Sequence, residues 1–501
     1  MEPTLPKSMD YIQQLSDNLL CTIFSYLITS IVILPPIFGD PRLRLMAVSP
    51  QWQRIILGSS HLWDTLIILP NSPEVTPRLA AIAEKWLRIN WENGHTLSVF
   101  LLHPRYLADI NQPAPRDREP IGTFCVVEDG ILPVARCTRS FSCTLSTEHA
   151  IHCFFKIPPG QFRFLERLEI AMPILPHQGL ARAIKKTIKK KLRRFTALQR
   201  LPRLRSAVIS IKNGIHPLAF GIPWHQLTKL DMRQTTVRPR IFLNVLSSSA
   251  PSLKEGSFTI QFKRITQSTS STAKSNFRII KPRFLQILHL RLIDPTLDTH
   301  IFSRIHMTAL CQLRIELDHD EAGWMMSIYQ DLLSKSHQTL KSLVFWDPSA
   351  EGDQTEGLTL IYNPPRSRQD VDSLLSIVPK LEHLRLPIGV HIPPSAADKI
   401  AQGILLASLK HLEVSSTVGV DILDMVKRRN MLAYRHPFFV GSSKRKGGAS
   451  CTPIYPSFIS GVLLFTLSAN RSKVELARRH LQSSSSSQGT AFYIRYANLF
   501  L

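Results

Sequence analysis

Apolar residues recur in one short pattern between Phe164 and Val414: a leucine, two residues, an apolar residue, one residue, an apolar residue. The copies are Leu165-Leu168-Ile170, Leu204-Ala207-Ile209, Leu227-Leu230-Met232, Leu253-Gly256-Phe258 and Leu285-Leu288-Leu290, followed by Leu310-Leu313-Ile315, Leu340-Leu343-Phe345, Leu381-Leu384-Leu386 and Leu409-Leu412-Val414. Side chains two apart on a strand share a face, so the last two residues of each copy point the same way, and the leading leucine falls in the turn entering the strand. A lone unit of this kind cannot bury its apolar face and needs a neighbour on each side, which makes a stacked scaffold suited to binding. The leading leucines step by 39, 23, 26, 32, 25, 30, 41 and 28 residues, so inserted loops are expected between several units. Gly256 is the poorest match to the pattern.

Upstream the periodicity is helical. Ser16-Asp17 reads as a helix start with Ser16 as the side-chain cap, and Leu19, Leu20, Ile23, Phe24 and Leu27 follow on one helical face. Asp40-Pro41 reads as a second start, continued at helical spacing by Leu45, Val48, Trp52 and Ile55. Thr65–Leu69 and Leu97–Leu101 look like strands, with a helical seam of Leu79, Ile82, Ala83, Trp86 and Leu87 between them. The predicted organisation is a helical module over 9–69, a connecting helix, strand and irregular linker over 70–160, the patterned domain over 161–430, and a basic, Ser-rich, flexible tail over 431–501. The apolar run Phe458–Leu467 in that tail fits no copy of the pattern.

The pattern resembles the L-x-x-L-x-L core of leucine-rich repeats, without the Asn or Cys that follows the strand in that family. "IQQLSDNLLCTIFSYL" and "LRLMAVSPQWQRIILGSSHLW" resemble the two halves of an F-box, as found in fungal families where divergent leucine-rich repeats follow. "DILDMVKRRN" at 421–430 resembles the helix that closes many such proteins. The resemblance implies an α/β chain in which a small N-terminal helical F-box precedes a degenerate leucine-rich-repeat solenoid, or horseshoe. It further implies a substrate-recognition subunit of a Skp/cullin-type ubiquitin ligase. The F-box would dock on a Skp-type adaptor bound to a cullin scaffold, and the repeats would bind a target protein. Leu15, Leu19, Leu20, Ile23, Leu45, Val48 and Trp52 are the expected adaptor contacts. Three features depart from the family: Ser16 stands where it has proline, Ser49 where it has cysteine, and the Ile28–Phe38 connection is longer and more apolar.

The chain's 501 residues are 44% hydrophobic and 20% charged, a folded rather than a disordered composition. Seven irregularly spaced cysteines give no disulfide framework and suggest reducing surroundings. The first twelve residues carry Glu2, Lys7 and Asp10 and lack a signal-peptide core, so a cytoplasmic or nuclear location is expected. Leu19–Gly39 is uncharged and long enough to cross a bilayer, but Pro35-Pro36 and its scattered Thr and Ser residues argue for no membrane contact.

The net charge of +24 is concentrated: Ala171–Leu230 holds 13 Lys and Arg and no carboxylate. Ile184, Ile188, Leu192 and Phe195 make an apolar stripe on a helix otherwise covered by Lys185, Lys186, Lys189, Lys190, Lys191, Arg193 and Arg194. This basic 182–205 helix supports an alternative: a nuclear or nucleic-acid-associated scaffold, with those seven residues as import signal or anion contact and a non-functional F-box. Of chemistry there is little. No phosphate-binding G-x-x-x-x-G-K, G-x-G-x-x-G, G-x-S-x-G or H-E-x-x-H occurs. Cys137, Cys143, His149, His152 and Cys153 are spaced too widely for a zinc hairpin, and the Asn470 sequon has no route to glycosylation. The expectation is a protein that is not an enzyme, with no catalytic residue, metal or cofactor.

Overall fold

The computed structural model describes residues 15–29, 31–34, 40–68, 97–101, 135–136, 138–145, 154, 157–172, 196–212, 215–262, 279–293, 300–318, 324, 326–346, 370–387, 390, 392–415, 419–435, 461–466 and 491–496. The class is α/β, built on open parallel β-structure, and the chain divides into two compact units, 1–223 and 224–501.

In the first unit α1 (Asp17–Leu27), α2 (Pro41–Met46), α3 (Pro50–Gly58) and a 3-10 turn at Ser60–Trp63 accompany six strands. These are β1 (Ile31–Leu34), β2 (Thr65–Ile68), β3 (Leu97–Leu101), β4 (Thr138–Thr144), β5 (Arg167–Met172) and β6 (Ser206–Ile211). Each pairs in parallel with the next. One in-register row runs Val32, Leu66, Val99, Phe141, Leu168, Ala207.

The second unit holds β7 (Lys229–Val237), α4 (Pro239–Ser249), β8 (Glu255–Gln261), β9 (Ile287–Ile293), α5 (His300–Ser303), β10 (Gln312–Asp318), α6 (Ser327–Ser334) and β11 (Ser342–Trp346). It continues with α7 (Asp370–Ser376), β12 (His383–Arg385), α8 (Pro394–Ala401), β13 (His411–Ser415), α9 (Gly419–Arg435), β14 (Gly461–Thr466) and β15 (Ala491–Tyr496). Its strands are again parallel and paired in order.

All nine copies of the sequence pattern lie at β5–β13. Their leading leucines, 165, 204, 227, 253, 285, 310, 340, 381 and 409, are each 0% exposed. The second apolar positions of the second unit form one row: Leu230, Gly256, Leu288, Leu313, Leu343, Leu384, Leu412. Helices pack on this apolar face: Phe242 of α4 meets Phe258 of β8 edge-on at 5.0 Å, and Tyr329 of α6 meets Phe345 of β11 at 5.4 Å.

The strand entries are joined by the backbone. The Thr228 carbonyl accepts from the N–H groups of both Lys254 and Glu255, and the Lys254 carbonyl from Gln286 and Ile287. The same pairing recurs from Gln286 to Cys311 and Gln312, Cys311 to Lys341 and Ser342, Lys341 to Glu382 and His383, and Glu382 to Lys410 and His411. In the first unit the Glu166 carbonyl accepts from Arg205 and Ser206. Hydroxyls add to this ladder. Ser252, just before a leading leucine, donates to the carbonyls of His225 (2.7 Å) and Leu227 (2.8 Å), and Thr339 occupies the equivalent place against Thr308 (3.2 Å) and Leu310 (2.9 Å).

Gly256 is explained by its neighbour. A Cβ there would lie 2.8 Å from Cε2 of Phe258 and 3.4 Å from Cδ2 of Leu253. The Phe258 ring, fully buried and pinned by Phe242, fills the space that leucine takes in other strands.

Four expectations are corrected. The helix read through Leu45, Val48, Trp52 and Ile55 is two helices, because Ser49 caps α3 and Pro50 opens it. Ile31–Leu34 is a strand rather than connection. Of the basic helix expected over 182–205, residues 182–195 lie outside the described residues, while 196–205 form turns entering β6. The 431–501 stretch, expected to be a flexible tail, begins inside α9 and contributes β14 and β15, so the unexplained apolar run at 458–467 contains a strand paired with β13. The seam at 79–87 lies outside the described residues, and no helix among those described is long and apolar enough to cross a membrane.

Restoring the pattern by Gly256→Leu should destabilise the protein by about 1–3 kcal/mol through overpacking against Phe258. Denaturant unfolding of the two chains checks it, and an unchanged or raised midpoint would show that the ring has room to move.

Candidate functional site

The N-terminal helical packet is tied together by a residue whose role leaves no sequence signal. Arg42, at the start of α2, is 2% exposed. Its guanidinium pairs with Asp40 at 3.0 Å, donates to the carbonyls of Leu62 (3.0 Å), Ile31 (2.8 Å) and Thr29, and lies 5.2 Å from the centre of the Trp63 ring. Burial lowers its pKa from the ordinary arginine value, opposed by the charge of Asp40. One side chain thus fixes α2 against the 3-10 turn and the entry to β1. Trp63 in turn donates from Nε1 to the Ile56 carbonyl of α3 at 2.8 Å.

Two of the sequence departures are helix caps. Ser16 Oγ accepts from Leu19 N at 3.3 Å and Ser49 Oγ from Trp52 N at 3.2 Å, each satisfying a free donor of a first turn. The third departure, the apolar connection, supplies β1.

The α1 face read as a single stripe is two. Leu20 and Phe24 are buried, with Phe24 edge-on to Trp52 at 4.9 Å. Leu19, Ile23, Tyr26 and Leu27 are 47, 37, 87 and 58% exposed. At 3.6 residues per turn these four fall within about 100° of the helix circumference. Leu43 and Val48 are also exposed. Of the expected adaptor contacts, Leu19, Ile23 and Val48 therefore present free apolar surface, and Leu15, Leu45 and Trp52 are half-buried. Leu20 is a core residue and is corrected as a contact. Tyr26, Leu27 and Leu43, missed in the sequence, belong to the exposed set. Lys185, Lys186, Lys189, Lys190, Lys191, Arg193 and Arg194 lie outside the described residues.

In the second unit the strand face opposite the helices is polar and internally paired. Glu316 of β10, nearly buried, lies 2.7 Å from His289 Nε2 on β9 and 2.8 Å from an Arg314 guanidinium nitrogen. The Arg314 guanidinium sits 4.2 Å from the centre of the Trp346 ring on β11, and Arg291 pairs with Asp318 at 2.6 Å. Burial alone would raise the Glu316 carboxyl. Hydrogen bonding and charge from His289 and Arg314 outweigh it and hold the group below its ordinary 4.5. Further along, Glu413 takes His383 at 3.4 Å and Arg385 at 3.3 Å, and His383 Nδ1 faces Ser342 Oγ at 3.0 Å.

Of the cysteine and histidine set, Cys143 alone is described. It is buried in β4, where burial and then the charge of Glu169 push its thiol pKa upward, away from a metal-binding thiolate. Cys137, His149, His152 and Cys153 lie outside the described residues, and among those described no group of three ligating side chains is placed to hold a metal ion.

A carboxyl held below its unfolded pKa stabilises the protein above that unfolded value, and the contribution disappears as pH falls through the folded one. Glu316→Gln should therefore be less stable than wild type at pH 7, with the gap closing below about pH 4.5. Thermal unfolding across pH checks this, and a gap that stays constant down to pH 3 would remove Glu316 from the account of acid sensitivity.

No family model matches the chain, and no curated protein matches it. Among solved structures, a crystal structure of a Bacteroides fragilis protein is similar at 13% identity, covering 72% of this chain and 75% of the other with a TM-score of 0.29.

Proposed function

We propose that this protein is the substrate-recognition subunit of a Skp/cullin-type ubiquitin ligase, with an F-box over 9–69 and a divergent leucine-rich-repeat horseshoe over 161–430. The observation that carries the reading is the exposed stripe Leu19, Ile23, Tyr26, Leu27 on a helix whose other apolar stripe is already buried. An apolar helix face of this kind marks a binding surface, and it falls on the segment whose sequence resembles an F-box. The Ser16 and Ser49 caps support the reading, since the helix starts are kept where the family's proline and cysteine are absent.

In this role the protein contributes position rather than bond-making. The packet docks on a Skp-type adaptor joined to a cullin scaffold, and the polar strand face of the second unit holds a target protein. A target lysine then meets a ubiquitin-charged partner enzyme at high effective concentration. The reading needs no catalytic residue and no cofactor, and places the protein in the cytoplasm or nucleus.

The exposed and buried stripes of α1 separate binding from folding. Purified full-length protein should form a gel-filtration complex with a Skp-type adaptor at micromolar concentration. Leu19→Asp with Ile23→Asp should abolish that complex while leaving the melting temperature within a few degrees. Leu20→Ala should instead cost about 2–5 kcal/mol of stability. If wild type forms no complex, or the double variant still binds, the ligase reading falls.

A further inference from the structure

We infer that the strand-entry edge of β4–β6 is a phosphate-binding surface for single-stranded nucleic acid. This goes beyond the receptor reading and depends on none of the residues assigned to the adaptor.

The edge is built from arginine. Arg136 and Arg139 enter β4, Arg163 and Arg167 enter β5, and Arg200, Arg203 and Arg205 enter β6; all seven are exposed. The described residues from 135 to 223 add Lys212 and hold only two carboxylates, Glu166 and Glu169. The backbone puts these entries side by side: Glu166 N donates to the Arg139 carbonyl at 2.8 Å, and Arg205 N to the Glu166 carbonyl at 2.9 Å. Adjacent entries are therefore about 4.8 Å apart. Glu166 meets Arg139 at 3.3 Å, in a pair about half exposed on both sides, where the attraction is weak. Downstream, Ala171–Leu230 contains no Asp or Glu.

Two details select the ligand. Among the described residues, the cations at the entries of β4–β6 are all arginine, whose planar fork matches phosphate oxygens two at a time, where lysine offers a point charge. Phe164 stands 42% exposed in their midst, with the Arg203 guanidinium 4.6 Å from its ring centre. An exposed aromatic ring among guanidinium groups is a stacking platform for an unpaired base, and a duplex keeps its base faces covered. A lone ring gives little to insert into a bilayer, which disfavours a membrane as the partner.

The test uses full-length protein and a fluorescein-labelled oligouridylate of roughly 16 nucleotides, read by anisotropy over a range of salt. Binding should weaken steeply as salt rises. Arg163→Gln, Arg167→Gln and Arg203→Gln together should reduce the log–log salt slope by roughly 2 and the low-salt affinity by about tenfold or more. Circular dichroism of this variant should match wild type, because all three side chains are exposed. Phe164→Ala should weaken binding several-fold with the slope unchanged, and the matching duplex should bind less tightly than the single strand. The proposal is overturned if oligouridylate fails to bind at low salt, or if the triple variant binds as wild type does. It is equally overturned if only phosphatidylserine vesicles or a polyglutamate peptide are retained. Adaptor binding by the triple variant should stay intact, so failure here leaves the ligase reading standing and the converse also holds.

Discussion

The double acceptance at the entries of β8–β13 is the constraint on which the rest of the second unit hangs. When one carbonyl takes the N–H groups of two consecutive residues in the following strand, as Lys254 does from Gln286 and Ile287, that strand can neither slip nor flip. A slip of one residue would carry every apolar side chain to the polar face. With the entry fixed, the residue just before it comes to the same buried place in each of β8–β13, and six fully buried leucines occupy it. Backbone geometry comes first here, and the leucine pattern is its imprint.

Elsewhere the backbone does not close its own bonds, and buried arginines take over. Arg42 satisfies carbonyls between helices and β1 in the first unit. In the second, Arg429 of α9 is fully buried and donates to the carbonyls of Ile400, Leu406 and Ala407, around a turn in which Leu406 adopts a left-handed φ of 52°. Burial lowers the Arg429 pKa to about 10, still above neutral pH. In both places a guanidinium, with five donors in a fixed plane, does for a cluster of carbonyls what a helix or sheet would otherwise do. Ser252 and Thr339 do the same on a smaller scale.

How far the sequence could be read follows from this division of labour. Strands β5–β13 were legible because each follows a leucine, with apolar residues three and five positions on in all but the Gly256 copy. Strand β4 was not, because Thr138 holds the leading position and Cys143 the last, so burial there carries no leucine signature. Strand β1 looked like linker or bilayer segment because four consecutive aliphatics show no alternation. At the candidate docking face, periodicity placed Leu19, Leu20, Ile23, Phe24 and Leu27 correctly on a helix. It could not separate the stripe that packs from the stripe that does not, since both are apolar and only α3 decides. Arg42 was invisible for the opposite reason: in a polar-looking segment, a buried cation reads as a surface one. The arginines entering β4–β6 were scattered over some 70 residues of chain and came together only through strand pairing.

The register of these strands is set locally, from each entry to the next, which frees the intervening chain from any duty of measurement. Steps between leading leucines range from 23 to 41 residues, yet the entropy of closing such loops differs by only about 0.5 kcal/mol across that range. Lengthening a connection therefore costs the lineage almost nothing, while altering a strand entry touches two neighbours at once. A chain built this way can acquire new surface by insertion between strands, generation after generation, without renegotiating its core.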